Sequence, residues 1–246
     1  MNRILALGLF LSVVGISAAE LTVMSAGAAE AGLTALLADY QRRAGHTVTI
    51  DYGTGPELAK RVAGGQVADV LVAPAAVVDQ ATTDGRVDGA SQTVIGRVGV
   101  GVAVRRGVTA PAIASADAVK QALLNADTVV YGQGSTGVYV DKLLADMGIA
   151  EQLKPKVHRE ITGSDVARRI AAGTGNEIGL GAITELKMFT TKGATYVGPL
   201  PAAIQNYTTY VAARMMRGAS PDLARGFLAY LATPAARQAF VASGVE

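Results

Sequence analysis

The chain has 246 residues, half of them hydrophobic, no cysteine, and a formal net charge of +2 at pH 7. That near-neutral balance leaves no electrostatic footprint for nucleic acid or for a polybasic membrane contact. The missing cysteines exclude disulfides, thiolate zinc sites and lipid-modified cysteine anchors, so a fold of this length must rest on its core alone.

Met1-Asn-Arg3 is followed by an apolar run, Ile4 to Ile16, and by small Ser17-Ala18-Ala19. A basic start, an apolar middle and a small-residue cleavage site predict a secretory signal peptide over residues 1–19. The run is shorter than the about 20 residues a membrane-spanning helix needs. The mature chain is therefore expected to be soluble and exported, in the periplasm or an equivalent compartment, and is expected to be a monomer.

Leu21–Met24 reads as a strand with Ser25-Ala26-Gly27 as its turn, and Leu33, Leu36, Leu37 and Tyr40 recur at helical spacing ahead of Gly45. The next strand, from Thr47, stops at Gly53-Thr54-Gly55; a helix opens at Pro56, and Val70–Ala73 is a second buried strand. Strand, glycine-rich turn, helix, strand is one βαβ unit, and its turn offers free backbone N–H groups at a helix start, a seat for an anion.

The rest of the chain repeats that unit. A helix over Ala75–Thr82 precedes Val94–Val104, a long glycine-interrupted strand that leaves one lobe for another. A helix opening at Ser115-Ala-Asp117, a strand over Thr128–Tyr131, the turn Gly132–Gly137 and a helix over Val138–Met147 come next. Val157–Ile161 is a strand, Thr162-Gly-Ser-Asp165 opens a helix, and Ile178–Ile183 and Thr195–Val197 are further strands. Tyr207–Ala213 returns to the first lobe, and helices over Pro221–Leu231 and Pro234–Ser243 close the chain.

This alternation predicts an α/β protein of two lobes, each a parallel-rich sheet flanked by helices. Lobe 1 takes residues 20–100 and 208–246 and lobe 2 residues 101–207, joined by hinge strands at Val98–Val104 and Tyr207–Ala212. Ligands of open α/β sheets sit beyond the carboxyl ends of the strands. Four strand-to-helix turns qualify: Ser25–Gly27, Gly53–Gly55, Gly132–Thr136 and Thr162–Asp165.

Gly132-Gln-Gly134-Ser-Thr-Gly137 is a literal G-x-G-x-x-G after a strand, with Glu160 placed to meet a ribose. A dinucleotide-binding enzyme built on this turn is one alternative, though no nucleophile or base can be named for it. A ligand-sensing binding lobe is the other, and export argues against it. His46 and His158 are read as strand-edge or surface residues, and Asp69, Asp79, Asp84 and Asp88 as caps and solvated faces without calcium-loop spacing. Lys60, Arg61, Arg168 and Arg169 fall on helices, mostly as solvent-facing charges, and Tyr131 and Tyr139 pack in the second lobe. No metal site and no cofactor is expected.

The order of these pieces resembles the periplasmic molybdate-binding protein family, among the type II periplasmic solute-binding proteins. The resemblance runs along the mature chain through Leu58-Ala-Lys-Arg-Val-Ala-Gly-Gly-Gln-Val-Ala-Asp-Val-Leu-Val-Ala73, Gly137-Val-Tyr139, Asp165-Val-Ala-Arg168, Ile178-Gly179 and Pro234-Ala-Ala-Arg-Gln-Ala-Phe240. It implies a two-lobed clamp that holds an oxyanion with hydroxyls and backbone N–H groups and hands it to the membrane permease of an ABC transporter. It also implies a site at Ser25, Gly27, Ala28, Thr54, Gly55, Ser135, Thr136, Val166 and Ala182. Several of these depart from the family pattern: Ala28 and Gly55 stand where serines are usual, and Ala182 where a tyrosine is frequent. The expected ligand is therefore a small anion, either a molybdate-like oxyanion or a small organic carboxylate, and an enzyme is not expected.

Overall fold

A computed structural model describes residues 19–246; the leader expected over residues 1–19 lies, but for Ala19, outside the described residues. Strand β1 (Glu20–Ala26) runs through a short turn into helix α1 (Glu30–Ala44), which buries Leu33, Leu36 and Tyr40. Gly45 stops α1 in the left-handed region, φ 72°, where its N–H caps the carbonyl of Gln41. Strand β2 (Thr47–Gly53), helix α2 (Gly55–Ala63), strand β3 (Val70–Pro74) and helix α3 (Ala75–Thr83) complete the first βαβ unit.

Strand β4 (Thr93–Arg105) is followed by α4 (Ala116–Asn125), β5 (Thr128–Gly132), α5 (Ser135–Asp146) and α6 (Ala150–Leu153). Then come β6 (Val157–Glu160), α7 (Gly163–Ala172), β7 (Glu177–Ala182), α8 (Ile183–Lys187) and β8 (Ala194–Pro199). Strand β9 (Tyr207–Arg214) and helices α9 (Pro221–Leu231) and α10 (Pro234–Ser243) end the chain.

The strands form one curled sheet in the order β2-β1-β3-β9-β4-β7-β5-β6, with β8 beside β4. Its flanks are parallel: β1 pairs with β2 and β3, and β5 with β6 and β7. Its centre is antiparallel, through β3–β9, β9–β4, β4–β7 and β4–β8. Parallel flanks need helical crossovers, and these bring strand carboxyl ends from both flanks to the same place. β4 carries the passage between them, because Thr93–Gly99 pairs with β9 while Val100–Val104 pairs with β7.

Two larger apolar cores result. One gathers Leu21, Val23, Leu33, Leu58, Leu71, Val211, Phe227 and Phe240; the other Val102, Leu123, Val129, Val140, Leu144, Leu153 and Leu180. A smaller cluster of Val130, Val166, Ala167, Ile170 and Leu186 lies under α7 and α8.

Two readings of the sequence need correction. Asp69 is not on a solvated face. It is 2% exposed, accepts from the Thr22 N–H and hydroxyl at 2.8 Å each, and accepts from the Ser220 N–H at 2.6 Å, so it ties β1 to the start of α9. The strand expected over Ile178–Ile183 ends at Ala182, and the five residues of α8 follow it directly. No side chain caps α8 and its cap position is Ala182, so the usual start signal is missing.

Candidate functional site

Five strand-to-helix turns converge on one cavity of about 40 Å³. Ala26, Gly27 and Ala28 come from the end of β1, and Gly53, Thr54 and Gly55 from the β2–α2 turn. The β5–α5 turn supplies Gly132 and Gly134–Gly137, and the start of α7 supplies Thr162 and Gly163. Gly181, Ala182 and Glu185 come from β7 and α8, and Tyr210 from β9. The walls come close together: a Cβ on Gly55 would stand 2.9 Å from Ser135 Oγ, and one on Gly134 would stand 3.6 Å from Thr54 Cβ.

The helix starts facing the cavity are of two kinds. At α2, Thr54 Oγ1 accepts from the Glu57 N–H at 3.3 Å and Glu57 accepts from the Thr54 N–H at 3.4 Å. At α7, Thr162 and Asp165 form the same reciprocal pair, at 3.0 and 3.1 Å. Each is a capping box that satisfies two otherwise orphan groups from within. The turn into α1 and the start of α5 have no side-chain cap. Apart from the Glu30 N–H, which donates to the Gly27 carbonyl, their first-turn N–H groups keep the partial positive charge of a helix N-terminus, which favours an anion.

Glu185 is the acidic side chain in this cavity. It is 8% exposed, and its carboxylate lies between the backbones of Gly27 and Gly163. A Cβ on Gly27 would stand 2.9 Å from Glu185 Oε1, and one on Gly163 would overlap Oε2, so glycine at both positions makes room for it. Burial pushes the carboxyl from 4.5 up to about 7; the backbone N–H groups of Ser164 and Gly163 pull the other way, and the charges of Glu30 and Asp165 add to the rise. Tyr210, 6% exposed, also lines the cavity, and its phenol is raised by burial and by the Glu185 charge. Among the described residues no lysine or arginine lines the cavity.

Of the residues anticipated from the sequence, Gly27, Ala28, Thr54, Gly55, Ser135, Thr136 and Ala182 are brought together here. Ser25 is not: it is fully buried in β1 and its hydroxyl donates to the Ala26 carbonyl at 3.2 Å. Nor is Val166 a free donor, because its N–H bonds the Thr162 carbonyl at 3.1 Å inside α7 and its side chain fills the core. The cationic candidates stay outside. Arg61 pairs with Asp51 and Glu57, Arg168 with Asp165 and Arg169 with Glu160, while Lys60 is exposed.

Glu160, placed by the sequence near a ribose, is held by Arg169 away from the cavity. The third glycine of G-x-G-x-x-G has a packing reason, since a Cβ on Gly137 would run into the Gly132 carbonyl oxygen. Sequence reasoning missed Glu185 and Tyr210. An acidic residue right after a buried glycine-bearing strand was the available signal for Glu185; nothing marked Tyr210 among the other apolar residues of its strand.

A two-centred α/β fold with a cleft walled by helix starts defines the type II solute-binding proteins. The chain belongs to the bacterial extracellular solute-binding protein family, whose match spans residues 21–246. It is 30% identical over 234 residues to a protein named aconitate isomerase from Pseudomonas sp., covering 92% of this chain and 87% of that one. In fold it is similar to the periplasmic molybdate-binding protein of Azotobacter vinelandii, with a TM-score of 0.77, 15% identity, and 92% of this chain and 98% of that one covered. The sulfate-binding protein of Mycobacterium tuberculosis is also similar, with a TM-score of 0.72, 17% identity, and 92% and 86% covered. Among the described residues no helix is long and apolar enough to cross a membrane.

Proposed function

We propose that this chain is an exported binding protein whose two lobes, residues 20–100 with 208–246 and residues 101–207, close by hinge motion on a small organic polycarboxylate. The observation that carries this reading is the asymmetry of the cavity: uncapped helix starts on some walls and the Glu185 carboxyl, without a cation, on another. A tetrahedral oxyanion presents oxygen in every direction and must turn one towards Glu185, where like charge opposes it. A polycarboxylate concentrates charge at its ends and can lay its carbon segment against Glu185 while its carboxylates meet the N–H groups. The cavity of about 40 Å³ holds little more than a water or two, so such a ligand enters only as the lobes part. Delivery to the membrane permease of an ABC transporter is the fate we assign to the bound ligand.

A second reading has its own support. The relative named aconitate isomerase shares 30% identity over most of both chains, and a buried carboxyl poised near neutral pH is what proton chemistry needs. On that reading the ligand is an unsaturated tricarboxylate, and it is isomerised in the cleft.

The test is a thermal-shift panel of molybdate, sulfate, citrate and both aconitate isomers, since stabilisation by a ligand of the folded state grows as RT ln(1 + [L]/Kd). The expected result is a shift with one or more carboxylates and none with the oxyanions. A shift with molybdate or sulfate alone overturns the carboxylate reading.

A further inference from the structure

We propose that Glu185 is the acid–base residue of the cleft, moving one proton across a bound unsaturated polycarboxylate so that the chain isomerises its ligand instead of only holding it. This role rests on the carboxylate reading of the cavity. The carboxyl is nine-tenths buried, has no side-chain partner among the described residues and reaches the cavity between two glycine backbones. The charges that act on it most are acidic, Glu30 on α1 and Asp165 on α7, and the Tyr210 phenol on β9 feels its charge in turn. With no cation beside it, the carboxylate adds no stability when it is ionised, because an uncompensated buried charge is destabilising.

The step balances without a co-reactant. The Glu185 carboxylate removes a proton from a methylene that lies between a carboxylate and a C=C bond. The C–H electron pair forms a new C=C bond, the old π pair moves on, and the resulting allylic anion spreads its charge into the flanking carboxylates. The neutral Glu185 carboxyl then returns the proton to the far carbon of the three. The double bond has moved one position, and in a tricarboxylate with equivalent outer carbons this interconverts the geometric isomers. A carboxylate is a weak base for carbon, so the charge that develops on the ligand oxygens must be stabilised. The uncapped N–H groups at the starts of α1 and α5 are fixed dipoles placed to do that.

A structural alternative is that Glu185 only satisfies the N–H groups of Gly163 and Ser164 at the start of α7. Glu185→Gln separates the two, since an amide oxygen still accepts those bonds but carries no transferable proton. The experiment follows ¹H NMR of cis- or trans-aconitate with the full chain, in parallel with its melting temperature, for wild type, Glu185→Gln and Glu185→Asp. Wild type is expected to interconvert the isomers. Glu185→Gln is expected to keep the ligand-induced melting shift and lose at least about 100-fold in rate. Glu185→Asp, which withdraws the carboxyl by one methylene, is expected to fall between them.

In wild type, kcat/KM is expected to rise with pH to a plateau with an inflection near 7. A wild-type protein that melts higher with aconitate yet neither isomerises it nor exchanges its methylene protons overturns this role and leaves the binding reading standing. A Glu185→Gln variant as fast as wild type also overturns it. No melting shift with any carboxylate overturns the binding reading and this role together.

Discussion

Helices α5 and α7 meet the cavity from the same flank of the sheet, each after a parallel strand, yet they finish their first turns in opposite ways. The start of α7 is closed: Thr162 and Asp165 cap each other's backbone, and the Glu185 carboxylate lies over the N–H groups of Gly163 and Ser164. The start of α5 is open, with Gly134 at the cap position and no side chain reaching back. The opposite parallel flank repeats the contrast between its closed α2 and the uncapped entry to α1. Closed starts shape the cavity and need no ligand. Open starts leave N–H groups that no side chain satisfies. The glycine-rich turns alone do not make this distinction, because both kinds look equally ready for an anion.

The sharpest way to break the comparison is through Glu185. Its folded value is about 7 against 4.5 for an ordinary glutamate. Below pH 4.5 both the folded and the unfolded chain hold the proton, and the group has no effect. Between 4.5 and about 7 the unfolded chain releases the proton and the folded chain keeps it, so stability falls as pH rises through that window. Above 7 the accumulated loss is about 3 kcal/mol. Glu185→Gln is therefore expected to be more stable than wild type at pH 8 by about 3 kcal/mol and equal to it near pH 4, as urea unfolding would read. Parallel pH curves for the two proteins would show that Glu185 titrates normally, and the closed start of α7 would then hold no special group.

Next in size is Gly137→Ala. The new methyl would run into the Gly132 carbonyl, which is backbone and cannot swing aside, so a loss of about 2 kcal/mol is expected with no change in pH response. A neutral outcome would mean that α5 does not pack as closely on β5 as the structure has it, and its open start would be less firmly placed.

Much of this was legible in the chain. Glycine and threonine turns after buried strands predicted where the helices begin, and Val70–Ala73 announced a central strand because all four residues are apolar and are buried on both faces. The cavity wall was legible where it is made of backbone and small turn residues, at Gly27, Thr54, Gly55 and Thr136. It was not legible at Glu185, because a five-residue helix without a cap carries no periodic signal, and its first residue, Ile183, reads as the end of the strand before it. Ser25 and Val166 lie off the cavity wall for a different reason. A one-residue offset at the end of a strand or helix turn decides whether a group faces the cavity or the core, and spacing alone does not resolve that offset. Tyr210 is the counterpart case: β9 supplies a phenol to the cavity, where Ala182 lacks one.

The smallest effect on the empty protein is the one that tests the contrast most directly. Thr162→Ala removes half of a capping box, and about 1 kcal/mol of stability should go with it in the absence of any ligand. Thr136 stands in the open start of α5, and its hydroxyl has no hydrogen-bond partner among the described residues. Thr136→Val keeps its shape and should change the stability of the empty protein by less than about 0.5 kcal/mol. The same change should weaken the carboxylate found in the thermal-shift panel about tenfold, the worth of one hydrogen bond to a charged group. Calorimetric titration of the two variants would decide the matter. Unchanged affinity in Thr136→Val removes Thr136 from the site. A loss of apo stability there as large as in Thr162→Ala would mean that the start of α5 is closed by contacts of its own.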